Sequence, residues 1–379
     1  MNKRIAIIGE TGNGDYGHLL DQAFVSVEGA EIVALADPDE AGRKKHMEIT
    51  GALTGYADYH EMFKTEKPDI AVIAPHELNI HLPMVLAAAE HGAHVYVEKP
   101  LAASVGAVDK MIEACDKAGV LLVTALPWRG HPEIQKQAIP LLKEGKIGIP
   151  QWARIHGPCP MWAPEYGDWK EYSGDAWMFD LFPHSFDFIC QIFGTPLWCQ
   201  SLITQDGRPA SSGDLTTGIF GLKLTAGNGI LAHYQFDGFI AEFVSILGSN
   251  LGQERGKATQ YGIEVHGTKG TLFLPGAIWD GPDIYYHPHS HQALPEDDLW
   301  EVLVDNDLKG MEKWLNSHRR SARAMIDMID GKTPEYELCL GPAARISTEM
   351  AIAARVAHIK GARVPFPLEE KGDPFETWK

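Results

Sequence analysis

"RIAIIGETGNGDYGHLLDQAFVSVEGAEIVALAD", residues 4 to 37, sets two apolar, β-branched runs on either side of a glycine-rich turn. The first run, 4–9, ends in Gly9. Gly12, Gly14 and Gly17 follow before the chain takes up helix-like spacing over 18–27. The second run, 31–37, ends in an acid, Asp37. Glycines just after a strand let backbone N–H groups approach a pyrophosphate, which then sits on the N-terminus of the following helix. G-x-G-x-x-G fits Gly12, Gly14 and Gly17, three residues beyond the strand end; counting from Gly9 requires a lengthened loop. Asp37 stands twenty residues after Gly17, where a carboxylate can bind the adenosine ribose hydroxyls. A 2′-phosphate would meet like charge there, a penalty of about 1 to 4 kcal/mol at ~4 Å. NAD is therefore expected over NADP. The bland alternative is a glycine turn followed by a capping aspartate.

The same alternation continues downstream. Strand-like runs at 69–74, 94–98 and 120–125 are separated by helix-like stretches at 39–50, 80–91 and 104–118, with Gly92 and Gly119 where helix stops belong. Continuous apolar strands alternating with helices predict a parallel sheet covered on both faces, a doubly wound α/β domain over residues 1–127. From residue 128 the texture changes. A helix-like stretch at 132–144 leads into aromatic and Pro/Gly-rich segments. Two runs within 216–236 separated by "AGNG" read as a hairpin, 261–276 reads as another, and 311–358 returns to helical spacing. The second domain, 128–379, is thus expected to be α/β with a mostly antiparallel sheet and a C-terminal helical segment.

Composition narrows the function classes. With 45% hydrophobic and 22% charged residues among 379, the chain reads as globular, and no apolar run reaches the ~18 residues of a membrane span. The apolar run at the start is too short for a signal peptide. A net charge of −18 without a basic stripe argues against nucleic acid. Five scattered cysteines without C-x-x-C spacing suit reduced thiols in a cytoplasm.

At "HVYVEKPLA", 94–102, an apolar strand ends abruptly in Glu98, Lys99 and Pro100. A lone lysine after a strand is usually a surface residue. This one lies at the carboxyl end of the fourth predicted parallel strand, where open α/β sheets place ligands, and Pro100 restricts its backbone. Two titratable groups appear later, Asp180 and His184 in "WMFDLFPHSFDFICQIFG". A helix through both would put them on one face, but Pro183 is comfortable only in a first turn, so Asp180 can also precede or cap that helix. His184, with an ordinary pKa of about 6.5, is suited to proton transfer; a satisfied structural pair is the competing reading.

In these residues the chain resembles the glucose–fructose oxidoreductase and inositol dehydrogenase family, Gfo/Idh/MocA. The resemblance rests on Glu98-Lys99-Pro100, on the D-x-x-x-H of Asp180 and His184, on Asp187, and on weaker matches at "LLKEGKIGIPQWARI" and "VHGTKGTLFL". It implies an N-terminal Rossmann domain, a C-terminal α/β domain with an open, mostly antiparallel sheet, and a nicotinamide cofactor held between them. It implies that Lys99 and His184 contact the reacting hydroxyl or carbonyl while Asp180 binds substrate and orients them. Glu98 and Pro100 would line the nicotinamide side, with Pro75, His76 and His81 from "APHELNIHLP" also on the cofactor, and a cis Lys99–Pro100 bond belongs to the same pattern. The implied reaction takes hydride from a sugar or cyclitol C–H to the nicotinamide, with His184 as base and Lys99 stabilising charge on the oxygen. The longer glycine loop and Phe182, where the family often has a small residue, depart from the pattern.

Trp152, Trp162, Tyr166, Trp169, Tyr172 and Trp177 form an aromatic cluster around this segment that would either stack on a sugar or pack an interface, Trp162 and Trp177 being the foremost substrate contacts. Arg129 would reach substrate or cofactor, or form a hinge salt bridge. His287, His289 and His291 alternate like metal ligands, but Pro288 argues for a solvated loop, and no metal is expected. Cys190 reads as a core residue. The leading expectation is an NAD-dependent sugar, cyclitol or glycoside dehydrogenase, assembled as a homodimer or homotetramer. The alternatives are a redox-neutral, NAD-using glycoside-cleaving enzyme and a non-catalytic NAD(P)-binding sensor.

Overall fold

The computed structural model describes residues 2–157, 177–218, 221–246, 262–275, 284–289, 300–304 and 311–379. Two compact units divide the chain. The first comprises Met1–Gly130, Phe220–Leu222 and Trp314–Thr348, the second His131–Ile219, Lys223–Lys313 and Glu349–Lys379. Among the described residues no helix is long and apolar enough to cross a membrane.

The first unit is built on six parallel strands, β1 (Lys3–Ile8), β2 (Ala30–Ala36), β3 (Thr54–Tyr56), β4 (Ile70–Ile73), β5 (His94–Glu98) and β6 (Leu122–Ala125). Their order is β3-β2-β1-β4-β5-β6, and the short strand Cys339–Leu340 adds antiparallel to β6. This is the strand order of a dinucleotide-binding sheet, with its switch point between β1 and β4. The helices are α1 (Glu40–Thr50), α2 (Tyr59–Glu66), α3 (Leu78–Glu90) and α4 (Val105–Ala118). Their ends follow local chemistry. Asp39 caps α1 through a 2.6 Å bond from the Gly42 N–H, Ser104 caps α4, and left-handed Gly119 ends it. The segment 51–68, which strand-and-helix alternation left unassigned, supplies β3 and α2.

Period-two alternation sorts the strands onto two cores. Ala6, Ile8, Val95 and Val97 pack with Phe63 of α2, Val85 of α3 and Met111 of α4. Ile5, Ile7, Tyr96 and Val123 pack with Phe24, Ala322, Met325 and Ile326. The last three come from the helix Met311–Ile329, far downstream. This explains a departure from expectation. Residues 18–27 do not form an α-helix; a short 3-10 segment, Gly17–Gln22, contains His18 at φ 49° and Leu19 at φ 61°. The downstream helix fills the face that a regular first helix would cover, while Leu20 and Phe24 still reach the core. No α-helix N-terminus therefore stands behind Gly17 to receive a phosphate.

The second unit carries a mixed, mostly antiparallel sheet. Its strand order is Glu301–Val304, Ile284–Pro288, Gly270–Pro275, Gly262–Gly267, Pro150–His156, Phe239–Ile246, Gly229–Phe236, Trp198–Gln205 and Val364–Pro365, with Arg208–Pro209 beside Trp198–Gln205. Among the described residues only Pro150–His156 and Phe239–Ile246 pair in parallel in this sheet. The hairpin expected at 261–276 forms. The one expected across "AGNG" does not: Leu224–Ala226 pairs with Leu215–Thr217, while Gly229–Phe236 turns through Asp237-Gly238 into Phe239–Ile246. Asp237-Gly238 is the two-residue turn that closes this hairpin, with Gly238 at φ 67°. His287 is also not in a loop. It lies in the strand Ile284–Pro288, where Pro288 occupies the last position and so costs the ladder little. His289 follows that strand, and His291 lies outside the described residues.

Candidate cofactor and active site

The carboxyl ends of β4 and β5 bring four titratable groups together. Glu98, the last residue of β5, is fully buried, and its Oε1 lies 2.5 Å from His18 Nδ1. The left-handed turn at His18 aims that ring inward, where it meets His76 edge-on at 4.9 Å between centroids. His76 Nε2 is 3.5 Å from Lys99 Nζ, and Lys99 is only 2% exposed. Burial would raise the Glu98 carboxyl. His18, by charge and hydrogen bond, and then Lys99 and His318 outweigh this and hold it below its ordinary value. Burial, reinforced by the charges of Lys99 and His18, holds His76 well below the usual imidazole range. His76 is thus neutral and can accept a hydrogen bond from the Lys99 ammonium. The Lys99–Pro100 bond is cis.

Ligand atoms of His18, His76 and Glu98 lie within 4.8 Å of one another, a spacing a metal ion could bridge. The Lys99 amine beside His76 and the existing His18–Glu98 bond make a hydrogen-bonded charge network the better description. Glu98 Oε2 has no hydrogen-bond partner among the described residues, although it is fully buried. An orphaned buried carboxylate oxygen is a position at which a ligand donor would be stabilised.

His81, also fully buried, has Nδ1 3.0 Å from the Leu101 oxygen and Nε2 2.7 Å from the Pro75 oxygen. It sits between the chain after β4 and the chain after the cis bond; burial lowers its pKa, and the single N–H of the neutral ring donates to one of these carbonyls. Gly14 serves close approach. The His76 N–H donates to its carbonyl at 2.8 Å, and a Cβ at Gly14 would fall 2.7 Å from the Glu77 nitrogen. The Gly17 N–H donates to the Ala74 carbonyl, and the Gly9 N–H to that of Ala36. The loop is thereby laid on the strand ends, and Gly12 lies on its exposed outer side.

Asp37, one residue past β2, is fully buried, and its Oδ2 accepts from two hydroxyls, Thr11 Oγ1 at 2.6 Å and Tyr16 at 2.7 Å. Two hydroxyls on one carboxylate are the donor set a ribose diol would bring. The acid therefore fits the adenosine end of a dinucleotide, with protein groups standing in for it. Glu98, Lys99 and Pro100 would border the nicotinamide end.

In the second unit, Trp177–Asp180 is a single helical turn, and Phe182–Phe193 begins after Leu181 with Pro183 in its first turn. Asp180 therefore precedes the helix that carries His184. Both are buried, at 8% and 1% exposure, as is Asp187. The helix is anchored by Phe186, whose ring lies 4.6 Å from that of Phe243. Trp177 is buried at 5%. Trp162, with Tyr166, Trp169 and Tyr172, lies outside the described residues. Arg129, in the first unit, bonds Glu337 at 3.2 Å. Cys190 is half-buried, its Sγ 3.7 Å from Met350 Sδ. Sequence reading missed His18, Tyr16 and His318. The first two stand inside the glycine loop "GNGDYGH", where only the glycines drew notice.

Comparison with known proteins gives two family matches. Residues 3–126 match an oxidoreductase family described as an NAD-binding Rossmann fold, and residues 136–273 match the GFO/IDH/MocA C-terminal domain. The myo-inositol 2-dehydrogenase of Thermotoga maritima is 29% identical over 223 residues, covering 58% of this chain and 65% of that protein. D-xylose 1-dehydrogenase (NADP(+)) 2 of Haloferax volcanii is 35% identical over 108 residues, 28% of this chain and 33% of that protein. The chain thus matches less than two thirds of the length of either relative. An Agrobacterium radiobacter oxidoreductase, solved with NAD+, L-tartaric acid and magnesium, shares the fold at TM-score 0.71 and 20% identity, over 96% of this chain and 98% of that one.

Proposed function

The chain belongs to the Gfo/Idh/MocA oxidoreductase family, and from that membership we propose that it is an NAD(P)-dependent dehydrogenase acting on a hydroxyl of a sugar, cyclitol or glycoside. The observation that carries this reading is Lys99: an amine 2% exposed at the carboxyl end of β5, beside neutral His76 and after a buried acid with a spare acceptor oxygen. When bound, the cofactor supplies the hydride acceptor. Lys99 hydrogen-bonds the reacting oxygen and stabilises its developing charge. His76 accepts from the amine and fixes its direction. His184 is proposed to take the hydroxyl proton, and Asp180 to bind substrate. NAD is the proposed form, since a 2′-phosphate would bring charge toward Asp37, whereas the relatives' names include an NADP enzyme.

The test is reduction of NAD⁺ or NADP⁺ followed at 340 nm across sugars, cyclitols and glycosides. Lys99→Ala and His184→Ala, each checked for folding, should both lower kcat by about 10² to 10⁴. Wild-type turnover in either variant would remove that residue from the reaction. Binding of NADH without oxidation of any polyol would overturn the dehydrogenase reading.

A further inference from the structure

Asp37 has no acceptor capacity left. Its Oδ1 takes the Asp39 N–H at 2.9 Å and the Thr11 N–H at 3.2 Å, and its Oδ2 takes the Thr11 and Tyr16 hydroxyls. The Thr11 N–H also lies 3.3 Å from Oδ2. A carboxylate offers about four lone-pair positions. Tyr16 is held there by more than its hydroxyl. Its ring stacks on His46, 3.6 Å between centroids and 7° from parallel, and His46 is fixed by Asp21 at 2.8 Å. Backbone also crowds the Tyr16 ring: a Cβ at Gly9 would fall 2.0 Å from it. Burial and the Asp37 carboxylate raise the Tyr16 phenol far above its usual range, so it remains a donor at any physiological pH. Both hydroxyls come from the lengthened part of the glycine loop, residues 10–16.

We propose that Tyr16 is an internal stand-in for the adenosine ribose and sets the affinity of the cofactor's adenosine end. This rests on the NAD(P) reading above. The ribose hydroxyls reach Asp37 only when the Tyr16 hydroxyl withdraws. Hydroxyl replaces hydroxyl on the acid, so Asp37 gains nothing from the exchange, while the displaced phenol must leave its stack on His46. The adenosine half therefore binds more weakly than an open acid would allow. The nicotinamide half, bordered by Glu98 and Lys99, is untouched by the exchange.

The experiment is equilibrium binding of ADP-ribose, nicotinamide mononucleotide and NADH to wild type and to Tyr16→Phe, which keeps the ring and its stack. ADP-ribose and NADH should bind about tenfold tighter to the variant, equivalent to about 1.4 kcal/mol, with nicotinamide mononucleotide unchanged. Thr11→Ala should act in the same direction, and the gain from Tyr16→Phe should vanish in an Asp37→Asn background. Unchanged or weaker ADP-ribose binding by Tyr16→Phe, in a protein whose wild type binds NADH, overturns the proposal and leaves the NAD(P) reading standing. If neither protein binds NADH or ADP-ribose, the NAD(P) reading fails and the proposal falls with it.

Discussion

Asp37 and Glu98 are both fully buried acids at the carboxyl edge of one parallel sheet, yet their surroundings differ. Asp37 is saturated by neutral donors, two hydroxyls and two backbone N–H groups. Glu98 is held by His18 and has one oxygen without a partner among the described residues. Neutral donors can be exchanged for a ligand's hydroxyls at small net cost, because each bond lost is replaced by one of similar strength. A buried carboxylate whose charge is held by its surroundings has no such substitute. Asp37 thus behaves as a site occupied by its own chain, and Glu98 as a fixed charge with one acceptor oxygen left over.

This contrast is exposed first to substitution. Glu98→Gln removes the buried charge that bonds His18 and should cost about 1.5 to 3 kcal/mol of stability. Asp37→Asn keeps one oxygen for two of the four donors but turns its amide N–H2 toward the other two, and should cost about 1 to 3 kcal/mol. Urea unfolding of the two variants beside wild type measures both, and a loss well below about 1 kcal/mol at either acid would show that its carboxylate charge does not hold the surrounding donors.

The Glu98 region should also answer to pH. His318, whose Nδ1 lies 3.0 Å from the Tyr96 hydroxyl, is pushed by burial down to about 4 from 6.5, against the opposing pull of Glu98. Between those values the unfolded chain binds a proton that the folded chain does not. Stability therefore falls as pH drops from about 6.5 towards 4, by on the order of 3 kcal/mol from this group. His318→Gln should flatten the slope of unfolding free energy over that window, and an unaltered slope would clear His318 of the effect.

The smallest effect belongs to the other acid. A Cβ at Gly42 would fall 1.9 Å from Thr11 Oγ1, so Gly42→Ala should drive that hydroxyl off Asp37. The alanine's better helix propensity in α1 offsets part of the loss, leaving stability within about 1 kcal/mol of wild type. The variant should bind ADP-ribose a few-fold more tightly. Weaker binding would mean that Thr11 supports the cofactor site rather than closing it.

How far these features were readable depends on whether their causes are local. β1, β2, β4, β5 and β6 follow from uninterrupted apolar runs, and α1 and α4 from their caps and the glycines beyond them. Residues 18–27 carried helical spacing, but the helix that covers that face comes from residues 311–329, a competition that no window of sequence contains. The "AGNG" hairpin failed because its two flanking strands found other partners, Leu224–Ala226 with Leu215–Thr217 and Gly229–Phe236 with Phe239–Ile246. Lys99 drew attention through its position and its proline. His18 could not, because its importance lies in meeting Glu98 across 80 residues.

The sequence by itself determined the parallel sheet, the placing of Glu98, Lys99 and Asp37 at its carboxyl edge, and the family. Each is written in short-range patterns of apolar spacing, glycine and proline. Only the tertiary structure decided what those side chains do with their charges. A carboxylate's partners are chosen by whichever donors the fold brings within 3 Å, and for Asp37 these were the hydroxyls of its own glycine loop.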